Sequence, residues 1–451
     1  MYSLPQAQER HLLWLLMLTQ FTLIMDFMVM MPLGPQIMQA LQITPAQFAA
    51  AVSAYSLCAG ASGLLAATYI DRFDRRRLLL AMYALFALSN LACALAGSYV
   101  LLLLSRAFAG IGGGVLGSIV MAIIADVIPV QRRGAATGTV MTAFAMASVL
   151  GVPVGVLLGA HFHWSAPFWL LTALSLVVLG GAARLVPPLD KHLAAQPPSL
   201  AQVLPNLVAL FTNPRHLNAF ALTLMLMVSQ MLVIPFISPV LVANHGIDPA
   251  QLSWMYMAGG VAAFFTSRLV GRLADRHGKH RVYRVAVALS LLPVLFMTHL
   301  PAAVGFVGML LFFPFFMVSM NGRVVPLQAL QTTVPQPAQR GAFLSANSAV
   351  MSLGTGLGAW LGGLLLSTGA RGQIAGYGTV GWIAAALALA TALWVGRVTA
   401  ADAQLPRVAP AGDATADGAV VAANHAGDPV PARATSTAAP AAASGLTHAG
   451  D

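Results

Sequence analysis

Residues 271–281 read GRLADRHGKHR and join two long apolar segments. Residues 67–77 read ATYIDRFDRRR and join two apolar segments near the start of the chain. The two stretches align on their Asp-Arg pairs and on the basic cluster that follows. A second pair of loops, PVQRRG at 129–134 and PAQRG at 337–341, matches at nearly the same offset. Two independent matches at one offset indicate a duplicated unit.

The composition excludes a soluble globular fold. Of 451 residues, 58% are hydrophobic and only 8% are charged, and the mean hydropathy is +0.80. A soluble domain carries roughly 25% charged residues. At about 20 apolar residues per membrane crossing, the chain has room for about a dozen helices.

The apolar pattern predicts an all-α polytopic membrane protein, because lipid tolerates no unpaired backbone and the runs are too continuous for a membrane barrel. Its twelve spans fall near 11–33, 47–70, 78–97, 100–128, 135–159, 164–186, 215–240, 250–272, 282–300, 302–326, 341–367 and 375–397.

The connections predict the domain organisation and the orientation. Lys and Arg concentrate in the loops after even-numbered spans, which predicts that both termini lie on the cytoplasmic side of the membrane. The expected membrane is a bacterial inner (plasma) membrane. We expect a cytoplasmic N-terminus at 1–10, a six-helix bundle at 11–186 and a cytoplasmic linker at 187–214. A second six-helix bundle follows at 215–397, and a disordered cytoplasmic tail rich in Ala and Pro at 398–451.

Other function classes lack their motifs. The chain has no phosphate-binding loop and no catalytic constellation, so we expect neither an enzyme nor a cofactor. The net charge of +10 is attributed to topogenic loops rather than to nucleic-acid binding. His161 and His163 stand near no acid or Cys, so we expect no metal site.

These features resemble the major facilitator superfamily over about residues 11–397. The resemblance implies two pseudo-symmetric six-helix bundles that rock about a central cavity lined by spans 1, 4, 7 and 10. It also implies that the repeated loops act as a conformational latch. The alternative is that these loop charges only set the orientation of the helices in the membrane. The expected latch residues are Asp71, Arg72, Arg75 and Arg76 with Asp126 as a partner, and Gly271, Asp275, Arg276, Gly278 and Arg281 in the second copy.

Arg106 lies in span 4, in a pattern that resembles the superfamily's span-4 motif. Buried arginines in membranes are costly and are usually functional or paired. Asp26 is the single acid well inside a span, and both residues lie about 10 Å below the outer ends of their spans. The pair is therefore a candidate proton-coupling site, the alternative being a permanent packing pair. Arg268 and Arg323 are expected to snorkel to the cytoplasmic side.

Span 5 contains Gly151, Pro153 and Gly155, which imperfectly resemble the antiporter signature of the drug-efflux branch and predict a bundle interface. Candidate cavity residues are Gln20, Met30, Gln230, Phe316 and Asn321. Met and aromatic side chains outnumber polar ones in the cavity spans, which favours apolar, adaptable ligands over sugars.

The sequence therefore predicts a secondary active transporter of the drug:proton antiporter or arabinose-efflux type. Its partners are a small apolar substrate, protons and the lipid bilayer, with no nucleic acid, and we expect a monomer. The alternatives are a sugar or metabolite exporter or a passive facilitator of the same fold, and a non-transporting membrane sensor.

Overall fold

The computed structural model describes residues 5–190, 205, 208–301, 304–336, 339–369 and 372–401. Most of the predicted linker 187–214 and nearly all of the predicted tail 398–451 lie outside these ranges. Within them, every predicted span is helical.

The spans have the following bounds: span 1, Gln6–Met30; span 2, Pro45–Tyr69; span 3, Arg75–Ala94; span 4, Tyr99–Val127; span 5, Arg133–Met146, a π-turn Ala147–Gly151 and Val152–His161; span 6, Ala166–Leu185; span 7, Pro214–Met231, a 3₁₀ turn Ile234–Phe236 and Ile237–His245; span 8, Pro249–His277; span 9, Lys279–Thr298; span 10, Phe306–Gln331; span 11, Arg340–Leu364; span 12, Tyr377–Trp394. A short helix, Gly34–Leu41, follows span 1.

Local sequence signals set where these helices begin. Thr44 and Asp248 form capping boxes with Gln47 and Gln251 at the starts of spans 2 and 8, each followed by proline. Such caps satisfy backbone N–H groups that the first helical turn leaves free. Span 1 begins at Gln6, earlier than predicted, because a polar turn precedes the apolar run.

Ten of the helical segments in the described ranges are long and apolar enough to cross a membrane. Spans 8 and 11 are not among them, because Gly, Ser and charged residues dilute their apolar content. Both are nevertheless helices of 29 and 25 residues, and they pack lengthwise against their neighbours. Packing rather than hydropathy therefore holds these two spans in place.

The two bundles meet through spans 2 and 11 and through spans 5 and 8. We call the side of the loops after even-numbered spans the basic side. On the opposite side, the Cβ that Gly363 lacks would collide with Ala49, so spans 2 and 11 are in close contact there. Span 8 packs against residues 147–161 of span 5 and diverges from residues 133–146. The bundles are thus closed on the opposite side and separated on the basic side.

Several glycines toward the basic side face open space. A Cβ added to Gly117 of span 4, Gly138 of span 5 or Gly341 of span 11 would meet nothing within 4 Å. A two-stranded hairpin, β1 Ser367–Thr368 with β2 Ile374–Ala375, joins spans 11 and 12 on the opposite side. The Asn244 side chain exchanges two 2.8 Å hydrogen bonds with the Ile374 backbone and ties the hairpin to span 7.

Candidate functional site

A buried ion pair joins spans 1 and 4 in the N-terminal bundle. Arg106 Nη1 lies 2.7 Å from Asp26 Oδ1, and the two side chains are 1% and 0% exposed. Arg106 Nη2 also approaches the backbone oxygen of Asp26 at 3.5 Å. Asp26 Oδ2 and Arg106 Nε have no hydrogen-bond partner among the described residues. The carboxylate therefore has one paired oxygen and one without a hydrogen-bond partner in the described chain.

Close packing of spans 2 and 4 positions the pair. The Cβ that Gly110 lacks would overlap the backbone oxygen of Tyr55, so only glycine permits this approach. The contact lays the Tyr55 ring against the guanidinium of Arg106, with 4.6 Å between its centroid and Cζ. A cation over an aromatic face is stabilised, more so away from water. The span-4 glycine thus serves the geometry of the neighbouring arginine.

The predicted cavity residues occupy different environments in this conformation. Gln20 and Asn321 are half-buried; Gln20 Oε1 has no partner in the described chain, and Asn321 donates to the Met317 carbonyl. Met30 and Phe316 are fully buried in a hydrophobic core. Gln230 is buried and donates to the Met320 carbonyl, which joins spans 7 and 10. Two of the five candidates are thus partly accessible, and three support packing between helices.

The span-5 motif contains a break in helical geometry. Residues Ala147–Gly151 form a π-turn immediately before Pro153. Proline lacks an N–H and its ring crowds the preceding turn, and π-turns often occur at functional sites. Gly151 and Gly155 pack against Met25 and Val29 of span 1. The motif glycines thus face span 1 within their own bundle.

The contact of span 5 with the other bundle comes from a residue beside the motif. A Cβ on Gly260 of span 8 would lie 2.6 Å from the Ser148 carbonyl oxygen. The π-turn is therefore a place of close contact between spans 5 and 8.

The first copy of the repeated loop forms a compact ionic cluster. Arg75 bonds Asp71 at 2.5 Å, Asp126 at 3.1 Å and the Ile70 carbonyl at 2.6 Å, and its side chain is 6% exposed. Arg72 is exposed, and no ion pair involves it in the described chain. The cluster ties the loop between spans 2 and 3 to the end of span 4, and all its members belong to the N-terminal bundle.

Two further contacts tie the same loop to the end of span 6. Arg76 donates to the Ala183 carbonyl at 2.5 Å. Asp74 replaces the second motif glycine; it caps span 3 by accepting from Arg76 N, and it also accepts from Leu189 N. Asp74, in the place of the motif glycine, therefore adds hydrogen bonds that hold the loop.

The second copy has a different arrangement. Asp275, Arg276 and Arg281 are exposed, and none of them forms an ion pair within the described residues. Gly271 has only Val325 near the position of a Cβ. Gly278 has φ +87° at the turn between spans 8 and 9, a backbone conformation that side chains disfavour. The second motif glycine is therefore a requirement of the turn.

Three features escaped the sequence analysis. Glu9 forms a bidentate pair with Arg132 at 2.8 and 3.0 Å on the basic side. Glu9 is the single glutamate of the chain, and this was the sequence feature that could have drawn attention to it. The contact of the Tyr55 ring with Arg106 has no signature in the local sequence.

Arg323 does not snorkel, contrary to the expectation, and is 1% exposed. Span 10 continues to Gln331, which places Arg323 about 12 Å inside the helix end. Arg268 is exposed, over the Phe264 ring.

Membrane-spanning helices in two bundles, with a charged pair buried between two of the helices, are typical of a multi-pass secondary transporter. The profile of the Major Facilitator Superfamily matches residues 16–232 and 219–439. The chain belongs to this superfamily, whose members are transporters of the membrane rather than enzymes. The fold class predicted from the sequence, twelve spans in two six-helix bundles, is confirmed.

Individual relatives agree with this assignment. An uncharacterized MFS-type transporter, YfhI of Bacillus subtilis (strain 168), is 26% identical over 408 residues, covering 86% of this chain and 94% of the relative. The crystal structure of the nucleoside transporter NupG matches with TM-score 0.67 at 15% identity, covering 86% of this chain and 98% of that one. A D-xylose-proton symporter matches with TM-score 0.68 at 16% identity, covering 85% and 96%. At these identities the two structures share the fold alone.

Proposed function

We propose that this transporter exports a small, largely apolar compound in exchange for protons by alternating access. The observation that carries the proposal is Asp26. Among the acids of the described chain, it alone lies deep within a span, and one of its oxygens has no protein partner. An ionisable residue inside a membrane is a functional site by default.

The geometry supplies a coupling step. Burial disfavours the charged carboxylate of Asp26, whereas Arg106 favours it. A change in the distance between the two side chains, or in water access, shifts that balance and binds or releases a proton. Protonation in turn removes the charge that holds Arg106 to span 1, and spans 1 and 4 can then repack.

The conformation suits the cycle. If the basic side is cytoplasmic, as the positive-inside rule predicts, the bundles are open to the cytoplasm, from which an exporter collects its substrate. Closure would bring residues 133–146 of span 5 toward span 8 and separate the bundles on the other side. This rearrangement would bring two sets of loop charges nearer to one another. One is the Arg75 cluster of the N-terminal bundle, and the other is the loop of Asp275 and Arg276 in the C-terminal bundle.

The half-buried side chains around one core cluster favour an apolar substrate. Phe21, Ile24, Met28, Met317 and Phe312 are partly buried and pack against a cluster that contains residues of both bundles. Against these stand two accessible amides, Gln20 and Asn321. A sugar would need more hydrogen-bonding groups than this, because each of its hydroxyls loses water on binding.

Reconstituted protein tests the proposal. Proteoliposomes hold a pH-sensitive dye and an imposed pH gradient, and aromatic carboxylates, aromatic amines and sugars are added in turn. We expect an apolar compound to trigger proton movement in the wild type and not in Asp26→Asn. Asp248→Asn is the matched control, because Asn is an equally good helix cap at that exposed position.

Three outcomes separate the alternatives. Proton-coupled transport that persists in Asp26→Asn would refute the role of Asp26. Substrate flux without proton movement in the wild type would identify a passive facilitator. A response to sugars alone would identify a sugar exporter.

A further inference from the structure

Arg323 is a buried cation without a carboxylate partner. Its side chain is 1% exposed in the middle of the C-terminal bundle. One terminal nitrogen, Nη2, lies 2.8 Å from the Met320 sulfur, a weak acceptor. Nε and Nη1 have no hydrogen-bond partner among the described residues. A guanidinium stays protonated, so this charge cannot be relieved by losing a proton.

Tyr283 of span 9 is enclosed near Arg323. Its side chain is 0% exposed, and its hydroxyl lies beside the Thr391 hydroxyl of span 12 without a well-formed hydrogen bond. Two N–H groups of Arg323 thus lie near this phenol with no oxygen acceptor in the described chain. Unpaired buried donors are costly, and a cluster of them around a fixed positive charge fits a negatively charged group.

The bundle offers no carboxylate of its own. In the described part of spans 7–12 the acids are Asp248 and Asp275, at the two ends of span 8, and neither forms an ion pair. The Met320 carbonyl, one turn away from Arg323, already accepts from Gln230. Arg106 is equally buried but has Asp26 at 2.7 Å. Arg323 has no such carboxylate partner in the described chain.

Span 10 leaves open space next to Arg323. A Cβ placed on Gly322, the preceding residue, would meet nothing within 4 Å. A small charged group therefore has room beside span 10 at the position next to Arg323.

We propose that Arg323 and Tyr283 bind an anionic group, and that in the transport cycle this group is the carboxylate of the transported compound. The inference rests on the proposed transport function and narrows its substrate to apolar carboxylates. Guanidinium and phenol donors suit a carboxylate, because charge-assisted hydrogen bonds are about twice as strong as neutral ones. Inorganic chloride has the same charge and is the alternative occupant of the site.

A binding experiment tests the site without relying on transport. The full-length protein, purified in detergent in a chloride-free buffer, is titrated with benzoate, with benzamide as its neutral counterpart, and separately with sodium chloride. Thermal unfolding is the measurement, since a ligand that binds the folded state raises Tm, and the stabilisation grows as the logarithm of one plus the ratio of ligand concentration to Kd. We expect benzoate to raise Tm and benzamide to leave it unchanged.

Variants identify the residues responsible. Arg323→Gln should weaken benzoate binding by about tenfold or more, as expected for loss of a charged hydrogen-bond partner. Tyr283→Phe, which removes only the hydroxyl, should weaken it to a lesser degree. Arg268→Gln, an exposed arginine of span 8, is the matched control and should bind as the wild type does. Asp26→Asn should also retain benzoate binding, so failure of proton coupling and failure of this site are distinguishable.

Each outcome bears on the proposal. A Tm rise with chloride alone, lost in Arg323→Gln, would support the anion site and overturn its assignment to the substrate. Equal shifts in the wild type, Arg323→Gln and Tyr283→Phe, or no shift with either anion, would overturn the site. If Arg323→Gln does not fold, Arg323→Lys keeps the charge with other geometry, and wild-type benzoate affinity in both Arg323→Lys and Tyr283→Phe would likewise overturn it.

Discussion

The pair Asp26–Arg106 is expected to show a large coupling free energy of unfolding. The charges are about 4 Å apart when the joined atoms are in hydrogen-bond contact, which corresponds to about 4 kcal/mol at an effective dielectric constant of 20. Both side chains are buried, so screening by water does not reduce this figure. Removal of one partner leaves the other charge uncompensated, at a cost of about 3–5 kcal/mol.

The substitutions are Asp26→Leu, Arg106→Met and the two together. Each single variant should lose about 3–5 kcal/mol, whereas the double variant should lose far less than the sum, because an apolar pair of similar volume replaces a buried ion pair at little cost. Equilibrium unfolding in mixed micelles of dodecyl maltoside and dodecyl sulfate measures the four free energies. Single costs that add to within about 0.5 kcal/mol in the double variant would refute a direct interaction.

Three other substitutions test the packing and the loops, each by thermal unfolding in detergent. Gly110→Ala should cost about 1–3 kcal/mol because its methyl group would overlap the backbone of span 2, whereas Gly117→Ala, on the same helix beside open space, should keep or raise Tm because Ala favours a helix over Gly; equal effects would contradict the close approach. Arg75→Gln should lower Tm by removing three hydrogen bonds, one buried and two part-buried, while Arg77→Gln, at a side chain that is 90% exposed, should not; an unchanged Tm in Arg75→Gln would mean that water replaces the cluster. Gly278→Ala should cost about 1–2 kcal/mol because its φ is +87°, and an unchanged Tm would show that the turn adopts another conformation.

Much of the architecture could be predicted from the sequence because the bilayer imposes it. Span number, connection order and the repeat follow from apolar runs and loop charges, which are local quantities. The pairing of Asp26 with Arg106 could be anticipated because both lie at similar depth, and a membrane interior leaves few partners for a charge. The position of Arg323 could not, since the predicted end of span 10 was five residues short of the observed one.

Loop contacts were predictable in kind and not in detail. The aligned Asp-Arg pairs indicated two equivalent latches, yet Asp71 shares Arg75 with Asp126 while Asp275 has no ion pair in the described chain. The difference arises because Asp126 ends span 4, and helix packing brings that end beside the first loop. Which of several exposed arginines finds an acid depends on such distances, and sequence alignment does not contain them.

The sequence by itself determined that the chain is a duplicated, helical membrane protein, since hydropathy, loop charge and repeated motifs act segment by segment. Only the tertiary structure decided which faces of the helices meet: that Gly110 admits Tyr55 beside Arg106, that the bundles separate on the basic side, and that Arg323 is enclosed without a carboxylate partner in the described chain. Burial of a side chain depends on the rotation and crossing of helices that are distant in the chain, and these follow from the packing of all twelve spans together.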